Sequence, residues 1–188
     1  MTRYDAYKFI HICAVVVWLG AGVSVQIFAA RAQNTQDDDY LAKLFRDVGL
    51  LAKRLFIPSS VVVVVMGLLM VFDGPWNFKP LWIVLGLIGY AATFVTGAFI
   101  LGPRAEKAGH RVEQERGMNP SIAAEMKSVL RLARIDTVVL FLVVADMVIK
   151  PTGDDTGVLV AMAAIFVAGV AMTVAATRSA AAEAPASA

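Results

Sequence analysis

The sequence predicts an all-α membrane protein: a bundle of five transmembrane helices, N-terminus outside and C-terminus cytoplasmic. Three observations carry the prediction. Of 188 residues, 59% are apolar and 17% charged, where soluble domains run at about 45–50% and about 25%. The apolar residues collect into five runs, at about 7–30, 55–72, 81–101, 132–149 and 158–176. A bilayer core about 30 Å thick takes roughly 20 helical residues, a length each run meets or approaches. Third, Lys and Arg crowd alternate connections. Arg31, Lys43, Arg46, Lys53 and Arg54 lie in the first, and Arg104, Lys107, Arg111, Arg116, Lys127, Arg131 and Arg134 in the third. The turns between hold only Lys79 and Lys150. Twelve against two places the long connections in the cytoplasm.

Each run reads as a helix because lipid offers backbone N–H and C=O groups no partner. The first has an alternative reading as a signal peptide, with Arg3 and Lys8 at its charged start and Ala30-Arg31-Ala32 as the cleavage site. Its length, and His11, Trp18 and Gln26 inside it, disfavour that reading. Asp37-Asp38-Asp39 mark a helix start. Leu41, Leu44, Phe45, Val48, Leu51 and Ala52 then recur at helical spacing, which predicts an amphipathic helix along the inner surface, leading into the second span. The run Val61–Val65 would suit a strand in water, but inside a long apolar stretch it reads as helix. The connection 103–134 is an inner loop until Asn119-Pro120, a cap followed by a first-turn proline. From there a helix is expected to run unbroken through the fourth span to Pro151-Thr152-Gly153. Residues 1–177 form one bundle, and 178–188 are expected to be a disordered, alanine-rich tail.

Ionisable groups in lipid are costly and mark functional candidates. His11 and Asp146 lie at similar depth, one turn inside the outer ends of the first and fourth helices. His11 and Trp18 are seven residues apart and share a helix face. Two readings of His11 stand: a structural histidine hydrogen-bonded to Asp146 or a backbone carbonyl, or a metal ligand whose far nitrogen such a group holds. Asp146 and Lys150 have the spacing of a local ion pair. Asp136, near the inner end, is expected to pair with Arg54, Arg131 or Arg134. Met70 and Met147 are the candidates for a second iron ligand, although membrane methionines more often fill gaps. His110 lies about a membrane thickness from His11, so one chain cannot supply two histidines to one metal. Trp76 and Trp82 read as interface anchors. Gly89, Thr93 and Gly97 give the third span a small-residue face, for packing within the chain or in a homo-oligomer or membrane complex. The lone Cys13 cannot form an internal disulfide, and on a helix it points about 200° away from His11. A net charge of +2 gives no nucleic-acid footprint. Zinc spacings, phosphate loops, dinucleotide fingerprints and Ser/His/Asp sets do not occur, and no catalytic residue is identified.

The stretch KFIHICAVVVWLG resembles the first helix of the HemJ family, the bacterial membrane protoporphyrinogen oxidases. KRLF followed by Pro58 and Gly67 resembles that family's second helix, Trp82 opens the third in a similar way, and ARIDTVVLFLVVADMVIKP resembles the fourth. The chain resembles more fully a sister family of uncharacterised bacterial integral membrane proteins, and more distantly the CopD-like copper-resistance proteins. The resemblance implies the fold, a multi-pass place in the bacterial inner membrane, and haem b. His11 would be the axial ligand, with Asp146 or a backbone group behind the ring and Trp18 on the same face. Lys8, Lys79 or Lys150 would meet the propionates. Oxidase activity does not carry over. Trp82-Ile83-Val84-Leu85-Gly86 lacks that family's lysine and histidine, Gln26-Ile27 stand near its arginine, and Ile135-Asp136 replace its Asn-Glu pair. The leading expectation is a haem b-binding membrane protein with a redox or tetrapyrrole-related role. The alternatives are a non-enzymatic assembly subunit packed through the third span, and a copper-handling or transport protein using His11, Cys13 and methionines.

Overall fold

The computed structural model describes residues 2–35 and 37–182, and every regular element among them is a helix. α1 spans Arg3–Thr35, α2 Asp38–Leu51, α3 Ile57–Asp73, α4 Leu81–Val95, α5 Gly102–Gln114, α6 Pro120–Ile149 and α7 Thr156–Ala182. A π-helical turn at Ala52–Phe56 joins α2 to α3, and a second at Thr96–Leu101 joins α4 to α5. Asp38–Asp73 and Leu81–Gln114 are therefore continuous helices of 36 and 34 residues. At 1.5 Å per residue each runs roughly 50 Å, well past a hydrocarbon core of about 30 Å.

Four stretches are long and apolar enough to cross a membrane: Arg3–Thr35, Asp38–Asp73, Leu81–Gln114 and Thr156–Ala175. The remaining long helix, α6, carries Arg134, Asp136 and Asp146 along its apolar half. In this half of the molecule α1 packs on α3, α4 on α6 and α6 on α7. Glycines set the closest approaches. A Cβ on Gly89 would overlap Val143 of α6, and one on Gly169 would come within 3.0 Å of Val138. α7 continues to Ala182, and the rest of the expected tail, 183–188, lies outside the described residues.

Both π turns have a local cause. The Ile57 N–H bonds to the Ala52 carbonyl and the Gly102 N–H to the Gly97 carbonyl, each five residues back. The next residue in each case is proline, Pro58 and Pro103. Proline has no N–H to give and its ring crowds the carbonyl four residues earlier, so the preceding turn widens.

The surplus length of the long helices builds a head at one end of the bundle. The end of α1, with α2, α5 and the first half of α6, encloses one apolar core, which includes Ala29, Leu44, Phe45, Ala108, Ile122, Met126 and Leu130. This corrects two expectations. The apolar face of α2 does not lie on a lipid surface, because α5 covers it. The connection 103–134 is not a loop, because Gly102–Gln114 is helical and buries Ala105, Ala108 and Gly109. Ion pairs tie the head together: Arg46 to Glu113 at 2.7 Å, Lys53 to Glu106 at 2.8 Å and Arg111 to Glu125 at 2.9 Å. Two caps act as the sequence suggests. Asp37 accepts from the Tyr40 N–H, and Asn119 accepts from the Ile122 N–H, both at 2.9 Å.

Candidate functional site

The end opposite the head is a rim built from the start of α1, the α3–α4 turn and the end of α6. Trp76 and Trp82 meet edge to face at 5.1 Å, the Trp76 Nε1–H reaches the Tyr4 hydroxyl at 3.4 Å, and the Lys150 ammonium lies 4.6 Å and 5.2 Å from the two indole centroids. Beneath this rim is a cavity of about 530 Å³, within the range of about 300–1,000 Å³ that suits small molecules and cofactors. Its wall is apolar, with Val15, Leu68, Ile83, Leu87, Val143 and Val144 among its residues. Tyr4, Lys8, Trp76 and Lys150 also line it.

His11 lines this rim cavity. Its Nδ1 donates to the Val63 carbonyl of α3 at 2.7 Å, and its ring sits on Gly67, where a Cβ would come within 3.4 Å of Cε1. With the proton on Nδ1, Nε2 keeps its lone pair, and it has no partner among the described residues. That is the arrangement in which a carbonyl behind the ring orients an imidazole for a metal. Of the two supports expected for the ring, the structure supplies the backbone group. Asp146 does not fill that role.

Asp146 is only 2% exposed, faces Gly86 of α4, and neither carboxylate oxygen has a hydrogen-bond partner among the described residues. It is not among the residues lining the rim cavity. Its expected ion pair with Lys150 does not form. Lys150 ends α6 in the left-handed region, φ 54 and ψ 56, so helical i,i+4 geometry no longer applies, and its ammonium turns to the tryptophans. Met70 and Met147 both line the rim cavity, as do Trp18 and Lys8, while Lys79 does not. Gly86, a lining residue absent from the sequence-based set, leaves space for Met147, whose Cε a Cβ there would overlap.

A smaller cavity, about 130 Å³, lies where the bundle meets the head. Ala52 and Phe56 of one π turn and Gly97, Ala98 and Leu101 of the other line it, together with Gln26 and Asp136. The expected partners of Asp136 do not engage it: among the described residues it has no ion pair, and Arg134 reaches Gln33 instead, at 3.4 Å. The small-residue face of α4 is partly consumed inside the chain. Gly89 receives Val143, and the Thr93 hydroxyl bonds to the Gly89 and Tyr90 carbonyls, whereas Gly97 has open space beside it. Cys13 is exposed, His110 sits in the head beside Glu113, and no group of three or more His, Cys, Asp or Glu suited to a metal ion occurs among the described residues.

Phe9, Val16, Phe72, Phe99 and Met172, each more than 60% exposed, stand on the outside of the helices. Apolar side chains displayed on that scale call for lipid as the surrounding solvent, and define a polytopic helical membrane protein. The chain belongs to the family described as predicted integral membrane protein (DUF2269), whose family model matches residues 5–151, from α1 to just past the end of α6. No curated protein and no solved structure matches it.

Proposed function

We propose that this protein binds haem b in the rim cavity, with His11 Nε2 as axial ligand, and serves a redox or tetrapyrrole-related role in the bacterial inner membrane. One observation carries the reading: an imidazole fixed through Nδ1 to the Val63 carbonyl borders an apolar cavity of about 530 Å³ with its other nitrogen unpartnered. A porphyrin face needs apolar walls, and its propionates need cations at the mouth, where Lys8 and Lys150 stand. Haem supplies one-electron chemistry at iron; the chain supplies the ligand, the burial and the orientation. Met70 or Met147 would close the sixth position. The resemblance of the first helix to the HemJ family would imply the same ligand. In the same reading α6 is the fifth span, the head is cytoplasmic because it gathers the basic connections, and the rim lies near the outer surface.

The absorption spectrum of purified protein, oxidised and reduced, tests this. A Soret band is expected, weakened by His11→Ala in a variant that stays monodisperse. A colourless protein, even after haemin is offered, would overturn it.

A further inference from the structure

The rim cavity is roofed at its end and open at its side. Tyr4, Trp76, Trp82 and Lys150 form the roof, joined by the hydrogen bond, the indole pair and the ammonium above both rings. Below it, α1 packs on α3 and α4 on α6, which leaves two seams, α3–α4 and α1–α6. Exposure tells them apart. Every lining residue of α3 and α4 is buried or half-buried. The exposed lining residues are Lys8, Ile12 and Val16 of α1, Val148 and Lys150 at the end of α6, and Phe78 in the α3–α4 turn. Val16 is 64% exposed and Val148 76%, yet both border the cavity. A side chain that meets both the cavity and the outside edges an opening. α1 and α6 do meet at the head, where Arg134 reaches Gln33 and Ala29 and Leu130 share a core. No described residue of α7 lines the cavity, so α7 does not plug the gap.

We propose that the rim cavity exchanges its occupant with the bilayer through this gap between α1 and α6, and that the occupant is a membrane-dissolved amphiphile with an anionic head. Lys8, Ile12 and Val16 follow one another at intervals of four and share one edge of α1. That edge is about 12 Å long, cationic at the rim and apolar below. Lys8 and Lys150 line the cavity and no carboxylate does, and a cleft lined by one sign of charge draws the opposite one. The walls accept an apolar body, and a molecule with such a body gathers in lipid rather than in water. Haem b is one molecule of this kind. The route serves any anionic amphiphile, so the inference goes beyond the haem reading and does not depend on it.

The full chain, reconstituted in phosphatidylethanolamine–phosphatidylglycerol vesicles with a fatty acid carrying a diazirine midway along its chain, provides the test. After irradiation, the label is mapped by peptide mass spectrometry. Val63 of α3 and Ile83 of α4 line the cavity and are buried, so lipid outside the bundle does not reach them. The wild type should carry label at both, as well as at Phe99 and Met172 on the outer surface. Val16→Trp with Val148→Trp narrows the gap. It should lose the label at Val63 and Ile83 and keep it at Phe99 and Met172, which also shows that the variant is folded. Lys8→Gln with Lys150→Gln should lower the inner label severalfold, as should replacing the acid by the matching fatty alcohol. Wild-type label confined to the outer positions, as when a second copy covers the gap, would overturn the proposal. Inner label undiminished by the tryptophan pair, or equal from acid and alcohol, would overturn it too. Added haemin separates the two readings: if it fails to displace the inner label, the haem reading falls and the gap stands.

Discussion

Gly109→Ala should pry α2 from α5 and loosen the head. A Cβ at 109 would lie 2.8 Å from Arg46 Cγ, 3.0 Å from the Arg46 backbone nitrogen and 3.3 Å from its Cα. Non-bonded carbons settle at about 3.5–4.0 Å, so α5 must retreat by several tenths of an ångström. Backbone atoms cannot swing aside as a side-chain tip can. One turn away the same seam is already tight, because a Cβ on Gly49 would stand 3.0 Å from Glu106 Cβ. A retreat there opens the contacts of Ala105, Ala108 and Phe45, all at most 2% exposed. Overpacking of this kind costs about 1–3 kcal/mol, against about 1 kcal/mol gained by replacing glycine with alanine in a helix. The matched control is Gly20→Ala, which gains the alanine with no atom within 4 Å of the new Cβ. The difference between the two variants isolates the clash, at about 1–3 kcal/mol. Unfolding in detergent, followed by circular dichroism, measures it, with trypsin cleavage within α5 as a local readout. Equal stability and equal cleavage would refute the inferred α2–α5 contact.

Two further outcomes concern helix ends. Asn119→Ala removes the acceptor for the Ile122 N–H and should cost about 1 kcal/mol, whereas Asn119→Ser should keep most of it without setting a carboxylate against Glu115, to which the Asn119 amide donates; detergent melts distinguish the two. In the α6–α7 turn, the Asp155 carboxylate accepts from the Thr152 N–H and hydroxyl, both at 2.8 Å. Those bonds hold its carboxyl below the ordinary 3.8. A group depressed on folding stabilises the fold above its unfolded value and loses that contribution as pH falls through the folded one. The melting difference between wild type and Asp155→Asn should therefore be present at neutral pH and shrink below about pH 4.

The apolar runs were legible because lipid demands them: each expected run falls within a described helix, and the Asn119 cap and the stop at Pro151-Thr152-Gly153 were readable beside them. The head was not. α5 buries glycine and alanine, at positions 102, 105, 108 and 109, and such small residues leave no apolar periodicity for a sequence reading to find. Its partner α2 did show a periodic face, but periodicity alone cannot say whether lipid or protein covers it. At the site, the His11–Trp18 face was readable from spacing. The Val63 carbonyl that holds the ring was not, since a backbone acceptor has no residue identity, although Gly67, four residues on, marks the place where an imidazole can lie against α3. The Asp146–Lys150 pairing failed because spacing presumes helix, and the chain leaves the helix at Lys150. The unpaired state of Asp136 could not be foreseen, as three arginines were available to it.

Each widened turn ahead of Pro58 and Pro103 inserts one extra residue into a helix that otherwise advances about 100° per position. The side chains facing the bundle axis are thus dephased from those facing the head core, and the two halves of each helix obey different sequence registers. Because neighbouring helices carry the same insertion at the same level, their offsets match, and α2 still meets α5 below the joint. A single-residue deletion in only one of the two turns would leave both halves helical yet rotate one wall of the head relative to the other. The two turns are a matched pair, and the α2–α5 contact depends on both.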